Sequence, residues 1–400
     1  MKIGIFTDTY EPLISGVVVS IKSLKEGLEN LGHEVYIITS ESVPKKISTI
    51  EIRIIRLPGI RFYFKILKGF RYVYGYYRYL PLINKLQLDI IHIHTEFSVG
   101  FLGLYIQKKL KLPMVYTIHT MYHSFVKNNK SFLFKFKYFQ KFLLRYFDSL
   151  FNKFINRADK VIVPSQKVLN FVQNNYQIEG DYHIIPTQLN LKSFDSENYS
   201  STIINSLKQK LNLTNMFVCL YVGRLSEEKE IDYLIQGFAF FLLDNPNSKF
   251  LIIGDGPIRN KLEQQVKKLN IVNNIIFLGF IPYEKLGLYY QLGNVFLSAS
   301  LFETQGLTYI EALAAALPLV ARYDVVLEKV IVHGKNGFFF HSPQELVTIL
   351  TDLYHNPNKC QNLSQQAKLS ILKYNSKDFA KKVLNVYQKA IKKSSTKILI

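Results

Sequence analysis

Cysteine, tryptophan and acidic residues are scarce in this 400-residue sequence, and each scarcity narrows the possible functions. There is no tryptophan, and the two cysteines are Cys219 and Cys360. Two thiols so far apart supply neither a disulfide framework nor a thiolate metal site. No apolar run reaches the ~18 residues that a membrane-spanning helix needs. We therefore expect a protein on the cytoplasmic side of the cell membrane that does not span it.

Acidic residues are outnumbered, with 30 Asp and Glu against 50 Lys and Arg and a net charge of +20. Residues 53–146 alone hold 17 basic and 2 acidic residues. Such an excess predicts an anionic partner, which could be a polyanion, a charged surface or a phosphorylated substrate. The sequence also lacks an Asp-x-Asp pair that could bridge a metal to a diphosphate. We therefore expect no tightly bound metal or other cofactor.

Short apolar runs alternate regularly with helix-length segments along the whole sequence. Runs of this kind are typical of buried parallel strands. They are KIGIF (2–6), VYIITS (35–40), IIHIH (90–94), MVYTIH (114–119), KVIVPS (160–165), DYHIIP (181–186), FVCLYVGR (217–224), KFLIIGDGP (249–257), NIIFLGFIP (274–282), VFLSAS (295–300) and LPLVARY (317–323). The alternation predicts an α/β fold with two Rossmann-like, doubly wound domains facing a central cleft, where ligands bind at the carboxyl ends of strands.

A polar stretch at residues 191–212, rich in Ser and Asn, interrupts the alternation. It predicts a boundary between an N-terminal domain over residues 1–190 and a C-terminal domain over residues 191–377. A last amphipathic pattern begins at Asp378. We expect residues 378–400 to form a helix that packs back on the N-terminal domain.

The segment ETQGLTYIEALAAALP (303–318) carries the strongest chemical signal. Gly306 places Glu303 on a loop and Glu311 in the first turns of the following helix. The loop amides and the helix N-terminus suit an anion such as a diphosphate. The alternative interpretation is an ordinary helix start, where acidic residues favour the helix dipole.

A second cluster, GRLSEEKE, follows a predicted strand and contains Gly223, Arg224 and Lys229. Two cations at the carboxyl edge of a sheet can neutralise a departing diphosphate without a metal. A solvated surface turn is the alternative interpretation.

Histidines mark the ends of two predicted strands of the N-terminal half. His92 and His94 alternate on one strand, and His119 ends the next. We expect the first two to be packed or hydrogen-bonded side chains rather than metal ligands, and His119 to be a functional group. Gly16, in the first strand-to-helix turn, lets the backbone approach a phosphate or an acceptor.

Two stretches interleave basic and aromatic residues, at 61–80 and 132–147. This pattern predicts interfacial helices that attract anionic headgroups and insert rings at the membrane boundary. The alternatives are helices packed on the sheet with extended cations, or a surface for nucleic acid, which we do not expect because no known module accompanies it. The predicted membrane-binding residues are Arg61, Lys65, Lys68, Arg71, Arg78, Lys135, Lys137 and Lys141.

Together these motifs resemble those of the family-4 retaining glycosyltransferases, which have the GT-B fold. The resemblance rests on the Glu303-x7-Glu311 spacing, the GRLSEEKE cluster, GDGP (254–257), LGFIP (278–282) and His119, and it covers nearly the whole chain. A closer resemblance, to the diacylglycerol glucosyltransferases of wall-less bacteria, rests on further segments in the same order. These are YEPLISGVV, HIHTEFSVG, YTIHT, LYYQLGNVFLSAS, ETQGLTYIEALAA and RYD…GKNGFFF.

The resemblance implies a donor-binding role for residues of the C-terminal half. Arg224 and Lys229 are expected to hold the diphosphate of UDP-glucose, together with the amides of Gly306 and Leu307. Glu311 is expected to contact the ribose.

The resemblance also implies which residues face the reacting groups and the base. Glu303 is expected at the donor sugar and His119 at the sugar and the acceptor, so these two are the predicted catalytic residues. Gly279, in LGFIP, is expected to frame the uracil. Gly16 is expected in the acceptor-side loop, and we count it among the residues that contact the donor.

Three positions depart from the wider family. Glu230 stands where a glycine commonly follows the lysine, PTQLN (186–190) replaces a Gly-x-Asp turn, and RYD (322–324) replaces a glycine pair. The first two departures bear on local loop geometry and on the choice of donor.

The resemblance implies transfer of glucose from UDP-glucose to the 3-hydroxyl of diacylglycerol with retention, at an anionic phospholipid surface. One alternative is a transferase that adds a second sugar to a glycolipid or acts on a soluble acceptor. Another is a non-enzymatic basic protein that binds nucleic acid or membrane.

Overall fold

The computed structural model describes residues 1–13, 15–41, 52–61, 71–123, 126, 137–176, 180–372, 374 and 376–398. These residues divide into two compact units. The first unit holds the described residues up to Leu189 and those from Tyr374 onward, and the second runs from Asn190 to Leu372. The chain therefore returns to its first unit near its C-terminal end.

The first unit is built on a parallel sheet. Its strands are β1 (Lys2–Thr7), β2 (Glu34–Ser40), β3 (Ile54–Leu57), β4 (Ile60–Arg61), β5 (Arg71–Tyr72), β6 (Ile90–Ile93), β7 (Met114–Thr117), β8 (Lys160–Val163) and β9 (Tyr182–Ile184). Within the described ranges, seven of these strands form one sheet in the order β3-β2-β1-β6-β7-β8-β9, and β4 pairs with β5 in an antiparallel ribbon.

Helices cover this sheet on both faces, because its strands bury side chains in both directions. The helices are α1 (Gly16–Glu29), α2 (Leu80–Asn84), α3 (Ser98–Leu110), α4 (Lys137–Arg157), α5 (Gln166–Tyr176) and, from the end of the chain, α13 (Ser376–Ile398). Ile5 of β1 belongs to the apolar cluster that also holds Leu24 of α1 and Val383 of α13. Its neighbour Phe6 belongs to the opposite cluster with Leu102 of α3.

The second unit repeats the parallel plan. Its strands are β10 (Phe217–Val222), β11 (Ser248–Ile253), β12 (Ile275–Gly279), β13 (Val295–Ser298), β14 (Leu319–Arg322) and β15 (Gly337–Phe340), in the order β12-β11-β10-β13-β14-β15. Its helices are α6 (Ser201–Lys210), α7 (Ile231–Asp244), α8 (Arg259–Lys268), α9 (Tyr283–Tyr290), α10 (Leu307–Ala314), α11 (Pro343–His355) and α12 (Pro357–Ser370).

Because every strand pair in this second sheet is parallel, all six carboxyl ends lie at the same edge. The loops that leave this edge carry the residues predicted to bind a nucleotide sugar. The structure thus confirms the predicted α/β fold with parallel sheets in two Rossmann-like domains.

Candidate active site

The loops after β10, β11 and β12 are tied together by backbone hydrogen bonds at the carboxyl edge of the second sheet. Gly223 N donates to Ile253 O at 3.0 Å, and Gly254 N donates to Gly279 O at 2.8 Å. A Cβ at Gly254 would lie 1.9 Å from Gly223 O, and the φ of +134° at Gly254 also favours glycine. The structure therefore brings three predicted segments together at this edge, with GDGP lying between GRLSEEKE and LGFIP.

Arg224 leaves this edge from the turn after β10 with an exposed side chain. Its carbonyl accepts a hydrogen bond of 3.2 Å from the hydroxyl of Tyr221 on β10, which fixes the turn. Among the described residues its guanidinium has no ion-pair partner. The five donors of this guanidinium are therefore available to an anion.

Lys229 and Glu303 meet in an ion pair, although they come from different loops. The Nζ of Lys229 lies 2.5 Å from Oε1 of Glu303, and the two side chains are 24% and 15% exposed. The loop after β10 is thereby joined to the loop after β13. An ammonium carries three donors, so Lys229 can hold Glu303 and still donate to a phosphate oxygen.

Gly306 turns the chain from this second loop into α10. Its φ of +80° is left-handed, and a Cβ there would lie 2.7 Å from the ring of Tyr309. The helix starts at Leu307 and has no side-chain cap on its first amides. Uncapped amides at a helix N-terminus favour an anion. The ring of Tyr309 is fixed in turn, since its hydroxyl contacts Ser298 Oγ at 2.6 Å.

Glu311 lies one turn into α10 and is buried. The hydroxyl of Tyr290 donates to its Oε2 at 2.9 Å, and Tyr283 also hydrogen-bonds to its carboxyl. Burial raises the pKa of Glu311 to about 7, although both tyrosines oppose this shift by stabilising the charged form. The two glutamates of the predicted motif therefore have different environments, one in an ion pair and one in a tyrosine cage.

The sequence did not indicate Tyr283, Tyr290 or Ser298, because their part in the site depends on how α9, α10 and β13 pack. It did contain a signal for another contact, the ion pair of Glu230 with Arg322. Both residues occupy positions where the sequence departs from the wider family. Glu230 has a left-handed φ of 46° at the start of α7, directly after Lys229. The pair joins the loop after β10 to the end of β14.

In the first unit, His119 follows β7 and contacts a neighbouring histidine. Its Nε2 lies 2.9 Å from Nδ1 of His94, and Nε2 of His94 lies 3.2 Å from Nδ1 of His92. His92 and His94 are thus hydrogen-bonded in the core, as predicted. Gly16 is the exposed first residue of α1, and the cap of that helix is Ser15, whose Oγ accepts from Val18 N at 3.3 Å.

Six basic and aromatic residues of α4 lie together on one exposed face of the helix. One cation and one aromatic residue follow each other in three successive turns, and all six side chains are exposed. We call this surface the α4 stripe, and its residues are Lys137, Tyr138, Lys141, Phe142, Arg145 and Tyr146. Tyr138 is 92% exposed, which is far above the usual value for a large ring in a folded protein.

The other predicted membrane stretch is not one continuous interfacial helix in its described part. Arg61 and Arg71 lie on the β4–β5 ribbon, and Arg78 lies in a short 3-10 helix over Tyr76–Tyr79. Arg61 and Arg78 are exposed, whereas Arg71 is half-buried and pairs with Glu41 at 3.1 Å. Arg71 therefore does not contribute a free surface charge.

The remaining predicted membrane-binding residues, Lys65, Lys68 and Lys135, lie outside the described residues. Within the ranges that the structure describes, no helix is both long enough and apolar enough to cross a bilayer.

A parallel-sheet edge with cations, uncapped helix amides and acceptors for hydroxyls suits a nucleotide-sugar ligand. Two family models match the chain, one described as Glycosyltransferase Family 4 over residues 14–192 and one as Glycosyl transferases group 1 over residues 204–370. The chain belongs to this glycosyltransferase family and is an enzyme of the GT-B type.

Three similar proteins illustrate the relationship. The alpha-monoglucosyldiacylglycerol synthase of Acholeplasma laidlawii is 41% identical over 100% of this chain and 99% of its own length. The protein of the same name from Streptococcus pneumoniae is 34% identical over 98% of this chain and 86% of its own. The crystal structure of Anabaena HepE with UDP and glucose has a TM-score of 0.75 at 19% identity, covering 97% of this chain and 99% of that one, which shows the shared fold.

Proposed function

We propose that this protein transfers glucose from UDP-glucose to the 3-hydroxyl of 1,2-diacylglycerol with retention and forms α-monoglucosyldiacylglycerol. The observation that carries the proposal is the full-length likeness to two synthases of this glycolipid. The geometry of the second unit supports a UDP-sugar donor, and the surface of the first unit supports a lipid acceptor.

Charge and hydrogen bonding at the second sheet edge match the parts of UDP-glucose. In our proposal Arg224, Lys229 and the amides of Gly306 and Leu307 bind the diphosphate. They stabilise the negative charge that develops on UDP as the sugar leaves. These protein groups supply the positive charge themselves, so we propose no bound metal or other cofactor.

The remaining donor contacts are proposed from the family resemblance. The carboxyl of Glu311 accepts from ribose hydroxyls, and Gly279 borders the uracil. Glu303, held by Lys229 at 2.5 Å, contacts the glucose ring, and His119 and Gly16 of the first unit complete the contacts to the sugar and the acceptor. His119 and Glu303 are then the catalytic residues.

The reaction breaks the bond between the anomeric carbon and the β-phosphate oxygen, and forms one between that carbon and the acceptor oxygen. The proton of the acceptor hydroxyl passes to a phosphate oxygen of the departing UDP. Attack from the face that UDP leaves retains the configuration. The second route to retention is a covalent intermediate on Glu303, formed and broken in two displacements.

Diacylglycerol resides in the bilayer, so the enzyme must reach a membrane surface. We propose that the α4 stripe, with Arg61 and Arg78, docks the protein as a peripheral enzyme on the anionic, cytoplasmic face of the membrane. Paired cations and rings suit this boundary, because the cations attract headgroups while the rings enter the interface.

The direct test is incubation of the purified protein with UDP-[14C]glucose and anionic vesicles containing diacylglycerol or monoglucosyldiacylglycerol. We expect a single labelled lipid with the mobility of the monoglucosyl product. A diglucosyl product, or transfer only to soluble sugars, would instead support the alternative acceptors. Vesicle binding with no sugar transfer at all would support a non-enzymatic protein.

Two lysines provide a matched comparison within the same unit. Lys229→Ala removes a proposed diphosphate ligand and should lower kcat/KM at least about tenfold, as expected for a lost hydrogen bond between charged groups. Lys261 also pairs with a glutamate, Glu227, at 3.1 Å, but it lies outside the proposed site. Lys261→Ala should leave kcat/KM within about twofold of the wild-type value. Equal losses in the two variants would contradict the assigned site.

A further inference from the structure

Four side chains of the first unit form one continuous hydrogen-bonded row, which we call the histidine network: Tyr387, His92, His94 and His119. The hydroxyl of Tyr387 lies 2.7 Å from Nδ1 of His92. The other two contacts, from His92 to His94 and from His94 to His119, measure 3.2 and 2.9 Å. The network thus connects α13 with His119, the second residue after β7.

The histidines of this network are neutral at neutral pH. Burial lowers the pKa of His92 to about 3 and that of His119 to about 4, and it lowers the pKa of His94 well below the ordinary value. A neutral imidazole has one N–H donor and one acceptor nitrogen. Each ring must therefore donate from one nitrogen and accept at the other.

The donor and acceptor of each hydrogen bond in the network follow from Tyr387, at its buried end. Tyr387 is fully buried, and His92 is the one hydrogen-bond partner of its hydroxyl among the described residues. A buried O–H without an acceptor is costly, so the phenol donates to Nδ1 of His92. The proton of His92 then lies on Nε2, which donates to Thr117 Oγ1 at 2.6 Å.

The same reasoning applies to the next two hydrogen bonds, which end at His119. Nδ1 of His92 is an acceptor, so Nε2 of His94 must carry the proton that faces it. Nδ1 of His94 is then an acceptor, and Nε2 of His119 must donate to it. This order leaves the proton of His119 on Nε2 and an unprotonated Nδ1 on the side away from His94.

We propose that Tyr387, His92 and His94 are positioning residues that fix the tautomer of His119, so that its Nδ1 accepts a hydrogen bond from a hydroxyl of the bound sugar or acceptor. The contact between His119 and substrate rests on the proposed function. The tautomer itself does not, because it follows from the contacts of the first unit alone. In the opposite tautomer, Nδ1 would carry a proton and would meet a substrate hydroxyl as a donor.

Nitrogen NMR of the full-length protein, labelled with 15N-histidine, tests the tautomer directly. His119→Gln identifies the resonances of His119 by their loss. At neutral pH we expect Nε2 of His119 to be protonated and Nδ1 to be unprotonated. A protonated Nδ1 on the wild-type ring would overturn the proposal.

Two variants test whether the network controls the tautomer. Tyr387→Phe removes the donor at the buried end, and His94→Phe removes the link to His119. We expect either variant to move the 15N shifts of His119 toward a mixture of tautomers, and Tyr387→Phe to lower kcat about three- to tenfold with a KM for UDP-glucose within about twofold. Folded variants with unchanged His119 shifts would refute the coupling.

A matched control exists in the same unit. The hydroxyl of Tyr176 is buried and has no hydrogen-bond partner in the part of the chain that the structure describes, so Tyr176→Phe removes an equivalent atom outside the network. This variant should keep the His119 shifts and kcat of the wild type. The predicted tautomer without any glucolipid product would refute the proposed function alone, and glucolipid synthesis with a protonated Nδ1 would refute the network alone.

Discussion

Glu311 is a residue of the candidate site whose charge changes with pH near neutrality. It is buried against two tyrosines, and its pKa of about 7 means that it is protonated below this pH and charged above it. A charged carboxylate is the stronger acceptor for ribose hydroxyls. Binding of the donor therefore favours the charged form, and affinity should rise as the pH rises through 7.

We predict that UDP-glucose binds about fivefold more tightly at pH 8 than at pH 6, the difference between a hydrogen bond to a charged and to a neutral group. Isothermal titration calorimetry measures this ratio directly. UDP-glucose is a suitable ligand because its diphosphate does not titrate in this range. Glu311→Gln should bind with the same affinity at both values, and a pH dependence that survives in this variant would exclude Glu311 as its source.

Residue types could be predicted from the sequence, but their partners could not. The spacing of Glu303 and Glu311 and the cations of GRLSEEKE indicated an anion site before any fold was known. The pairing of Lys229 with Glu303 needs the loops after β10 and β13 to meet, and this follows only from the strand order of the second sheet.

At the scale of elements, α4 carries the surface that we propose to dock on the membrane. Its stripe exposes three cations and three aromatic rings, while Phe151 and Phe154 near its C-terminal end are buried in the core of the first unit. One end of the helix is therefore anchored, and the other presents a mixed charged and apolar face. Such a face favours a lipid boundary over bulk water.

We predict that replacing Lys137, Lys141 and Arg145 together by Gln weakens binding to anionic vesicles about a hundredfold, at about 1 kcal/mol for each cation. Vesicle co-sedimentation measures the change. The control variant removes the same net charge elsewhere on this unit. It carries Gln at three exposed positions near the end of α3, Lys108, Lys109 and Lys111.

This control distinguishes docking through the α4 stripe from attraction by the net charge of the protein. We expect the α3 variant to bind vesicles far better than the α4 variant. Equal binding by the two variants would mean that net charge, and not the α4 stripe, determines the attraction.

A charged residue within a strand limited one prediction of secondary structure. Strand β3 has Arg56 among its four residues, so no continuous apolar run predicts it. The prediction of a helix over residues 61–80 was wrong in the described part for another reason. The aromatic and basic residues of this stretch follow a helical spacing, but Arg71–Tyr72 pairs with Ile60–Arg61 in a ribbon, so tertiary pairing outweighed the local pattern.

At the scale of the whole molecule, the last helix completes the first unit. Four larger apolar residues of α13 are almost fully buried against α1 and the sheet: Phe379, Val383, Val386 and Tyr387. Burial of such side chains is worth about 1.5–3 kcal/mol each. Their sum is on the order of 10 kcal/mol, comparable to the entire stability of a typical domain.

We predict that deletion of residues 374–400 unfolds the first unit while the second unit still binds UDP-glucose. Limited proteolysis would show rapid cleavage in the first unit, and calorimetry would show the retained binding. Lys381→Ala combined with Lys382→Ala changes only exposed positions of α13 and should resist proteolysis as the wild type does. A truncated protein that stays resistant would show that α13 is dispensable for this fold.

The architecture was predictable because parallel strands are joined by helices, so apolar strand-length runs alternate with helix-length segments in the sequence. The amphipathic pattern from Asp378 likewise indicated a helix that needs an apolar partner. It could not reveal that Tyr387 contacts His92, since a contact between residues 295 positions apart depends on the folded chain.

The return of α13 also has a consequence for biosynthesis. The first 189 residues leave the ribosome early, yet the sheet they form lacks one of its covering helices until α13 has been made. The described part of the second unit is continuous in sequence and can fold as soon as it emerges. The unit that is begun first is therefore completed last, and a nascent chain stalled before α13 would expose apolar surface to chaperones and proteases.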